Sequence, residues 1–146
     1  MKSIDHIDEQ LMQLLEGDAR QTSETLARQL NVSSATIRRR LKRLIDSNVL
    51  HIVAYRDPVK SGLPVAAVVG FRIDHALADS AMRAICSHPA VVLACSTTGR
   101  FDAFALTRFS SNEEFSSFLR SDVTKIAGVR GSETFVCLHI EKRGFF

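Results

Sequence analysis

Cysteine, long apolar runs and metal-ligand spacings are scarce in this sequence, and each shortage removes a class of protein. Three cysteines, Cys86, Cys95 and Cys137, occur without a CxxC pair, so neither a disulfide framework nor a zinc knuckle is encoded, and they read as buried apolar thiols. The five histidines, His6, His51, His75, His88 and His139, form no HxxxH or HExxH spacing, so no metal site, cofactor or catalytic role is expected. No apolar stretch approaches the ~20 residues that a membrane-spanning helix needs, and Met1-Lys2-Ser3-Ile4-Asp5 turns acidic where a signal peptide would become apolar. The expected location is cytoplasmic, with no membrane partner. A length of 146 residues leaves room for one domain or two small ones and none for a large barrel.

A net charge of +3 is too small to imply nucleic acid by itself, so the distribution of charge has to decide. Up to Glu24 six acidic residues face only Lys2 and Arg20, whereas between Thr25 and Ile45 six basic residues occur with no acidic one. Five of these are Arg38, Arg39, Arg40, Lys42 and Arg43. Standing alone, such a run reads as a solvated helix face.

The local pattern gives it a context. Ile4, Ile7, Leu11, Leu14 and Leu15 fall at three- and four-residue steps, one stripe of an amphipathic helix capped by Asp5 and stopped by Gly17 and Asp18. A short helix fits Thr22 to Leu30 with Thr22 as its cap, and Asn31-Val32-Ser33 makes a turn. A third helix follows, capped by Ser33, with Ile37, Leu41, Leu44 and Ile45 as its core stripe and its end near Asn48. At ~100° per residue, Arg39 and Arg43 point almost opposite that stripe, while Arg38 and Arg40 flank it and can reach back toward the acidic first helix. A short helix, a tight turn and a second helix exposing Ser, Thr and Arg is the arrangement of a helix-turn-helix.

Beyond it, Val49 to Tyr55 suits a strand, and Arg56 to Pro64 carries loop residues. The remainder reads as strand Val65 to Ile73, helix Ala78 to Ser87, strand Val91 to Thr97, strand Phe101 to Phe109, helix Asn112 to Ile126 and strand Val129 to Ile140, the order βαββαβ. Ala81, Ile85 and Met82, and then Phe115, Phe118, Leu119 and Val123, set both helices on one side of the sheet. The other side is left apolar, with alternate positions among Phe71, Ile73, Phe104, Leu106 and Val136, for a partner subunit to cover. The expected division is 1–50 for the helices, 51–64 for a strand and linker, and 65–146 for the sheet domain.

Ile4-Asp5, Asp8, Leu11 and Leu14, then Arg20, Leu26-Ala27, Val32-Ser33, Ile37, Arg40-Leu41 and Leu44, and the turn Thr98-Gly99-Arg100-Phe101-Asp102 together resemble the Lrp/AsnC family of bacterial and archaeal transcriptional regulators, the feast/famine proteins. The resemblance runs over nearly the whole chain. It implies an α+β protein with an N-terminal three-helix DNA-binding domain and a C-terminal ferredoxin-like domain that dimerises sheet against sheet, assembles further into forms such as an octamer, and often binds an amino acid where dimers meet. Asn31 and Asn48 stand where the family usually has glycine, and Asn tolerates the left-handed backbone. Thr25 and Ile45 replace common glutamates, and Phe101 a common tyrosine.

For double-stranded DNA the expected contacts are Ser34, Thr36, Arg38, Arg39 and Arg43 on the third helix, with Thr22 and Ser23 near phosphates at the start of the second. Arg40 is set aside because a bridge to the acidic first helix competes for it. For a small effector the expected group is Thr98, Gly99, Arg100 and Asp102, joined by Ser132 and Thr134 (and their neighbour Gly131) from the family's ligand region. A cation would sit near Asp102 and a carboxylate near free N–H groups. The same turn reads equally as a hairpin in which Gly99 supplies positive φ and Asp102 caps backbone. The expected function is a sequence-specific DNA-binding regulator modulated by an amino acid or related molecule, not an enzyme. The alternatives are a tetrapyrrole decarboxylase of the same two-domain architecture and a DNA-free ligand sensor.

Overall fold

The computed structural model describes residues 4–141, and its chain divides into two compact units, Met1–Ala54 and Tyr55–Phe146. The first unit holds α1 (His6–Gly17), α2 (Ser23–Leu30) and α3 (Ser34–Asp46). Each helix starts where a side-chain oxygen takes an otherwise orphaned N–H. Asp5 accepts from Asp8, Thr22 from Thr25 and Ser33 from Thr36. Asp8 returns the bond to the Asp5 N–H, closing a capping box. Asn31 ends α2 in the left-handed conformation at φ 51°, and Asn48 adopts φ 56° just past α3.

Leu11, Leu15, Leu26, Ala27, Ile37 and Leu44 form the buried core of this unit, with Leu14 and Leu41 packed at its edge. Ile7 is half-buried outside that cluster, and two further expected stripe members stand exposed, Ile4 at 45% and Ile45 at 42%. Both sit at the ends of their stripes, where the neighbouring helix no longer covers them. Asp8 takes a buried place on the α1 stripe instead.

The second unit contains β1 (Val65–Ile73), α4 (Ala78–Ser87, entered through a 3₁₀ turn at His75–Leu77), β2 (Val91–Ser96), β3 (Ala103–Phe109), α5 (Asn112–Ser117) and β4 (Val129–Val136). The strands form one antiparallel sheet in the order β2-β3-β1-β4, the ferredoxin-like arrangement expected of βαββαβ. Ala67, Val69, Phe71, Ile73, Ala103, Ala105 and Phe109 meet Ala81, Ile85, Phe115, Phe118 and Val123 in a single core.

Four expectations are corrected here. Residues 49–55 form no strand, because the chain offers this segment no neighbouring ladder, and Ile52 and Val53 stand exposed. The single helix expected over 112–126 is α5 followed by a π turn at Phe118–Asp122 and a 3₁₀ turn at Val123–Lys125. Phe115 and Phe118, one turn apart, both reach Phe109, with ring centroids 5.2 and 5.3 Å away. Phe71 and Ile73 face the helices, and Val136 pairs with Ala67 on that same side, so the open side of the sheet is carried by Val68, Leu93, Phe104, Leu106 and Phe135. Finally, Cys86 and Cys95 are exposed and Cys137 is half-buried. Cys86 follows Ile85 off the inner face of α4, and Cys95 alternates onto the open side of the sheet. Among the described residues no helix is long and apolar enough to cross a membrane.

Candidate nucleic-acid interface and hairpin site

The basic residues of α3 divide by what holds them. Arg40 turns back to α1, where its Nη1 donates to Asp5 at 2.7 and 2.8 Å and to Asp8 at 2.7 Å. Arg43 also donates to Asp8, although the helical wheel sets it almost opposite the core. Wheel angles locate Cβ, and the long Arg43 side chain bends back toward the buried carboxylate, leaving it 34% exposed. Asp8 is fully buried. Burial, the largest single influence on it, pushes its carboxyl up, but bonds from Arg40, the Asp5 N–H and Arg43 outweigh that and hold it below the ordinary carboxylate range. Asp5 is also lowered, first by Arg40 and then by the Asp8 N–H.

Arg38 reaches α2 instead of α1: its Nη1 donates to Glu24 at 3.2 Å and its Nη2 approaches Ser34 Oγ at 3.5 Å. Lys42 pairs with Asp46 one turn on. Arg39 is exposed and has no hydrogen-bond or ion-pair partner among the described residues, so its guanidinium is free to meet an external group. Ser34 and Thr36 are half-buried beside it, and the Thr36 hydroxyl lies 2.9 Å from Ser33 Oγ. At the start of α2, Thr22 is exposed and Ser23 half-buried. α3 therefore presents one unengaged arginine, with Arg38 and Arg43 tethered on either side. Arg28, exposed in the last turn of α2 and without a partner among the described residues, is a cation that the sequence reading passed over.

The turn between β2 and β3 is internally well bonded. Thr97 donates its N–H to Asp102 O at 2.9 Å and its hydroxyl to Phe101 O at 2.7 Å. Asp102 donates to Phe71 O, and its Oδ2 accepts the Ile73 N–H at 2.6 Å. The β1–β4 register shifts between Arg72 and Ile73, which strips that N–H of its ladder partner, and the Asp102 carboxylate supplies the replacement. Gly99 has φ +109° with open space where a Cβ would be. Arg100 lies over the Phe101 ring, 5.2 Å from its centroid, and bonds Glu133 on β4. Phe101 in turn packs on Gly70, where a Cβ would come 2.9 Å from the ring.

The hairpin thus brings Thr98, Gly99, Arg100 and Asp102 together. Ser132 and Thr134 do not join them: they pair with Phe71 and Val69 in the register that faces the helices, while Glu133 between them points with Arg100 to the open side. Glu133 is the residue of this region that the sequence reading missed, and the alternation of β4 was the signal that separates it from its neighbours. Among the described residues no three His, Cys, Asp or Glu groups cluster closely enough to hold a metal ion.

Comparison with known proteins matches the same two segments. The AsnC-type helix-turn-helix domain profile covers residues 4–45, and the Lrp/AsnC ligand binding domain profile covers residues 66–145. An uncharacterized HTH-type transcriptional regulator of Pyrococcus horikoshii is 26% identical over 143 residues, spanning 97% of this chain and 90% of that protein. The solved structure of E. coli AsnC matches with a TM-score of 0.88 and 24% identity, over 99% of this chain and 98% of that one. A transcriptional regulator of Neisseria meningitidis in complex with L-Met matches with a TM-score of 0.87 and 22% identity, over 97% and 94%. Both structural likenesses are likenesses of fold.

Proposed function

This chain belongs to the Lrp/AsnC family of helix-turn-helix transcriptional regulators, and from that premise we propose that it reads a specific DNA sequence through α3 as a homodimer whose assembly responds to an amino acid or a close relative. The observation that carries the DNA reading is Arg39, an unengaged guanidinium on the exposed side of a basic helix with a hydroxyl-rich N-terminus. Ser34 and Thr36 allow close approach, Arg38 and Arg43 contribute once DNA competes with their carboxylates, and Thr22 and Ser23 meet phosphate at the start of α2. The protein acts as a regulator in the cytoplasm and catalyses no reaction of its own.

The dimer reading rests on the open side of the sheet, where Phe135 is 51% and Leu93 41% exposed beside Val68, Phe104 and Leu106. A second copy covering it would set two recognition helices on half-sites about 34 Å, or a multiple, apart. The effector reading is supported by the L-Met complex of the Neisseria meningitidis regulator and by the residues gathered at the hairpin. A ligand that bound both assembly states equally would shift nothing, so it must prefer one of them.

The test combines footprinting on the chain's own upstream region, with and without each amino acid, and light scattering at micromolar concentration. Arg39→Ala should weaken operator binding by about 1–3 kcal/mol with little change on random DNA. Equal weakening on both makes Arg39 a phosphate contact, and a monomer that retards no DNA sinks the proposal. Asp102→Asn separates the two roles of the hairpin. Loss of the amino-acid response at unchanged basal DNA affinity supports a ligand role, and a lower melting temperature with the response intact leaves Asp102 a support for Ile73.

A further inference from the structure

Three polar side chains in the described residues are buried: Asp8, Thr107 and Arg108. Two are satisfied, Asp8 by Arg40 and Arg43 and Thr107 by donating to Ala67 O at 2.9 Å. Arg108 is not. It is 8% exposed, yet no carboxylate, carbonyl or hydroxyl among the described residues lies within hydrogen-bond or ion-pair reach of its guanidinium. Arginine is almost never this deeply buried without a counter-charge, and unlike lysine it cannot escape the cost by losing its proton.

The strand alternation fixes where it points. Thr107 and Phe109 face the helices, so Arg108 lies on the open side of the sheet, paired with Ala66, whose methyl leaves room above the backbone. Its nitrogens are not sealed off, since the only fully buried, unpartnered side-chain nitrogen in the described residues is Arg40 Nε. The four strands carry a single acidic residue on their open side, Glu133, which pairs opposite Gly70 and is held by Arg100. Gly70 is four residues along β1 from Ala66, about 13 Å at strand spacing. Among the described residues Arg108 is therefore a recessed cation, open at its tip, with no anion in ion-pair reach.

We propose that Arg108 is an anion site on the open side of the sheet, taking the carboxylate of a small organic acid through the two parallel bonds that a guanidinium fork offers. It is distinct from the hairpin, which holds Phe71 about five residues, or ~17 Å, along the same strand. Occupancy also removes a cost that a second copy would meet in covering this face, because an uncompensated guanidinium no longer has to be dried.

The probes are sodium acetate and sodium succinate, titrated into the full chain against sodium chloride at equal ionic strength. The Nε–Hε resonance of Arg108, identified by its absence from Arg108→Met, should shift saturably with either carboxylate at fixed protein concentration and stay unmoved by chloride. The melting temperature of the wild type should rise over the same range, and that of Arg108→Met should not. Met keeps the length and apolar stem of the side chain, so the variant is expected to fold at least as stably as the carboxylate-free wild type. A resonance that ignores both carboxylates, or protection of wild type and Arg108→Met alike, overturns the proposal. A shift that follows protein concentration alone also overturns it, assigning the anion to a second copy of the chain. None of these outcomes depends on whether an amino acid binds at the hairpin, which Asp102→Asn reads separately.

Discussion

In the helical unit the largest fully buried side chains are Leu11, Leu26, Ile37 and Leu44 together with the carboxylate of Asp8, whereas in the sheet unit they are Phe71, Phe109, Ile85 and Val69 together with the neutral hydroxyl of Thr107. Six buried apolar residues make up the first core, and α1 is joined to α3 across more than thirty residues of sequence by Arg40 and Arg43 converging on Asp8. The second core has more than twice as many members and a ladder of strand hydrogen bonds. A small unit that buries little apolar surface leans on charge for the placement of its helices, and so carries its recognition helix on an ionic joint. The larger one leans on volume.

The largest expected effect follows from removing the joint. Asp8→Ala leaves Arg40 with Asp5 alone and takes the carboxylate from Arg43, which is 34% exposed, so the loss should fall at about 3 kcal/mol, the low end for breaking a buried pair from one side. At about 0.05–0.15 kcal/mol per residue, a unit of roughly fifty residues has about that much stability to lose. Calorimetry should show the helical unit melting far below the sheet unit in this variant. An unchanged melting profile would mean that α1 is held by its leucines alone.

Acid probes the same joint without mutation. Asp8 and Asp5 both have carboxyls held below their ordinary values in the folded state. Such groups contribute stability that is fully present above the unfolded value near ~4 and is lost as pH falls through the lower, folded value. In the sheet unit Asp74 is likewise lowered by Arg130, but that pair sits at the surface, where solvent leaves it little worth. As pH is taken below about 4, methyl resonances of Leu26 and Ile37 should therefore lose their native shifts before those of Val69 and Ile85. Simultaneous loss would place the acid-sensitive interactions elsewhere.

The sheet unit should answer to volume instead. A Cβ at Gly70 would lie 2.9 Å from the Phe101 ring, which is itself packed edge-on against Phe104. Gly70→Ala is thus an overpacking change, expected to cost about 1–3 kcal/mol in the sheet unit and nothing in the helical one. If its melting temperature does not move, Phe101 has room that the packing does not suggest.

The contrast also explains what could be read in advance. Caps are local chemistry, so Asp5, Thr22 and Ser33 were legible from residue type, as were the bounds of β1 and α4 from alternation and helical stripe. Asp8 announced itself less plainly, although it stands three residues before Leu11 and seven before Leu15, on the stripe itself. Its meaning depends on Arg40 and Arg43, and the reach of a long side chain is not contained in a wheel angle. The hairpin residues were legible as a group. Ser132 and Thr134 come from the family resemblance alone, and the strand alternation sets them on the side of the helices with Glu133 between them on the side of Arg100. The rewinding after Ser117 has no local sign in the residue types, and the ring contacts of Phe118 do not explain it.

The smallest effect is expected where the two units differ in how they turn. In the described residues every positive φ of the sheet unit falls on glycine, at Gly62, Gly99 and Gly128, whereas both in the helical unit fall on asparagine, at Asn31 and Asn48. Asn31→Gly relieves the side-chain strain of φ 51° in the turn between α2 and α3, but it also enlarges the freedom of the unfolded chain, and the two terms oppose each other. The net change should be within about 0.5 kcal/mol, with DNA affinity intact. The reverse exchange, Gly128→Asn, is not symmetrical: φ +92° is a backbone that a side chain rarely adopts, and a Cβ there would also meet the Leu77 Cβ at 2.6 Å. A melting temperature nearly constant for Asn31→Gly and clearly lowered for Gly128→Asn would show that the helical unit turns in open space and the sheet unit against its own core. Equal losses in both would show that the left-handed backbone itself, and not the packing around it, sets the cost.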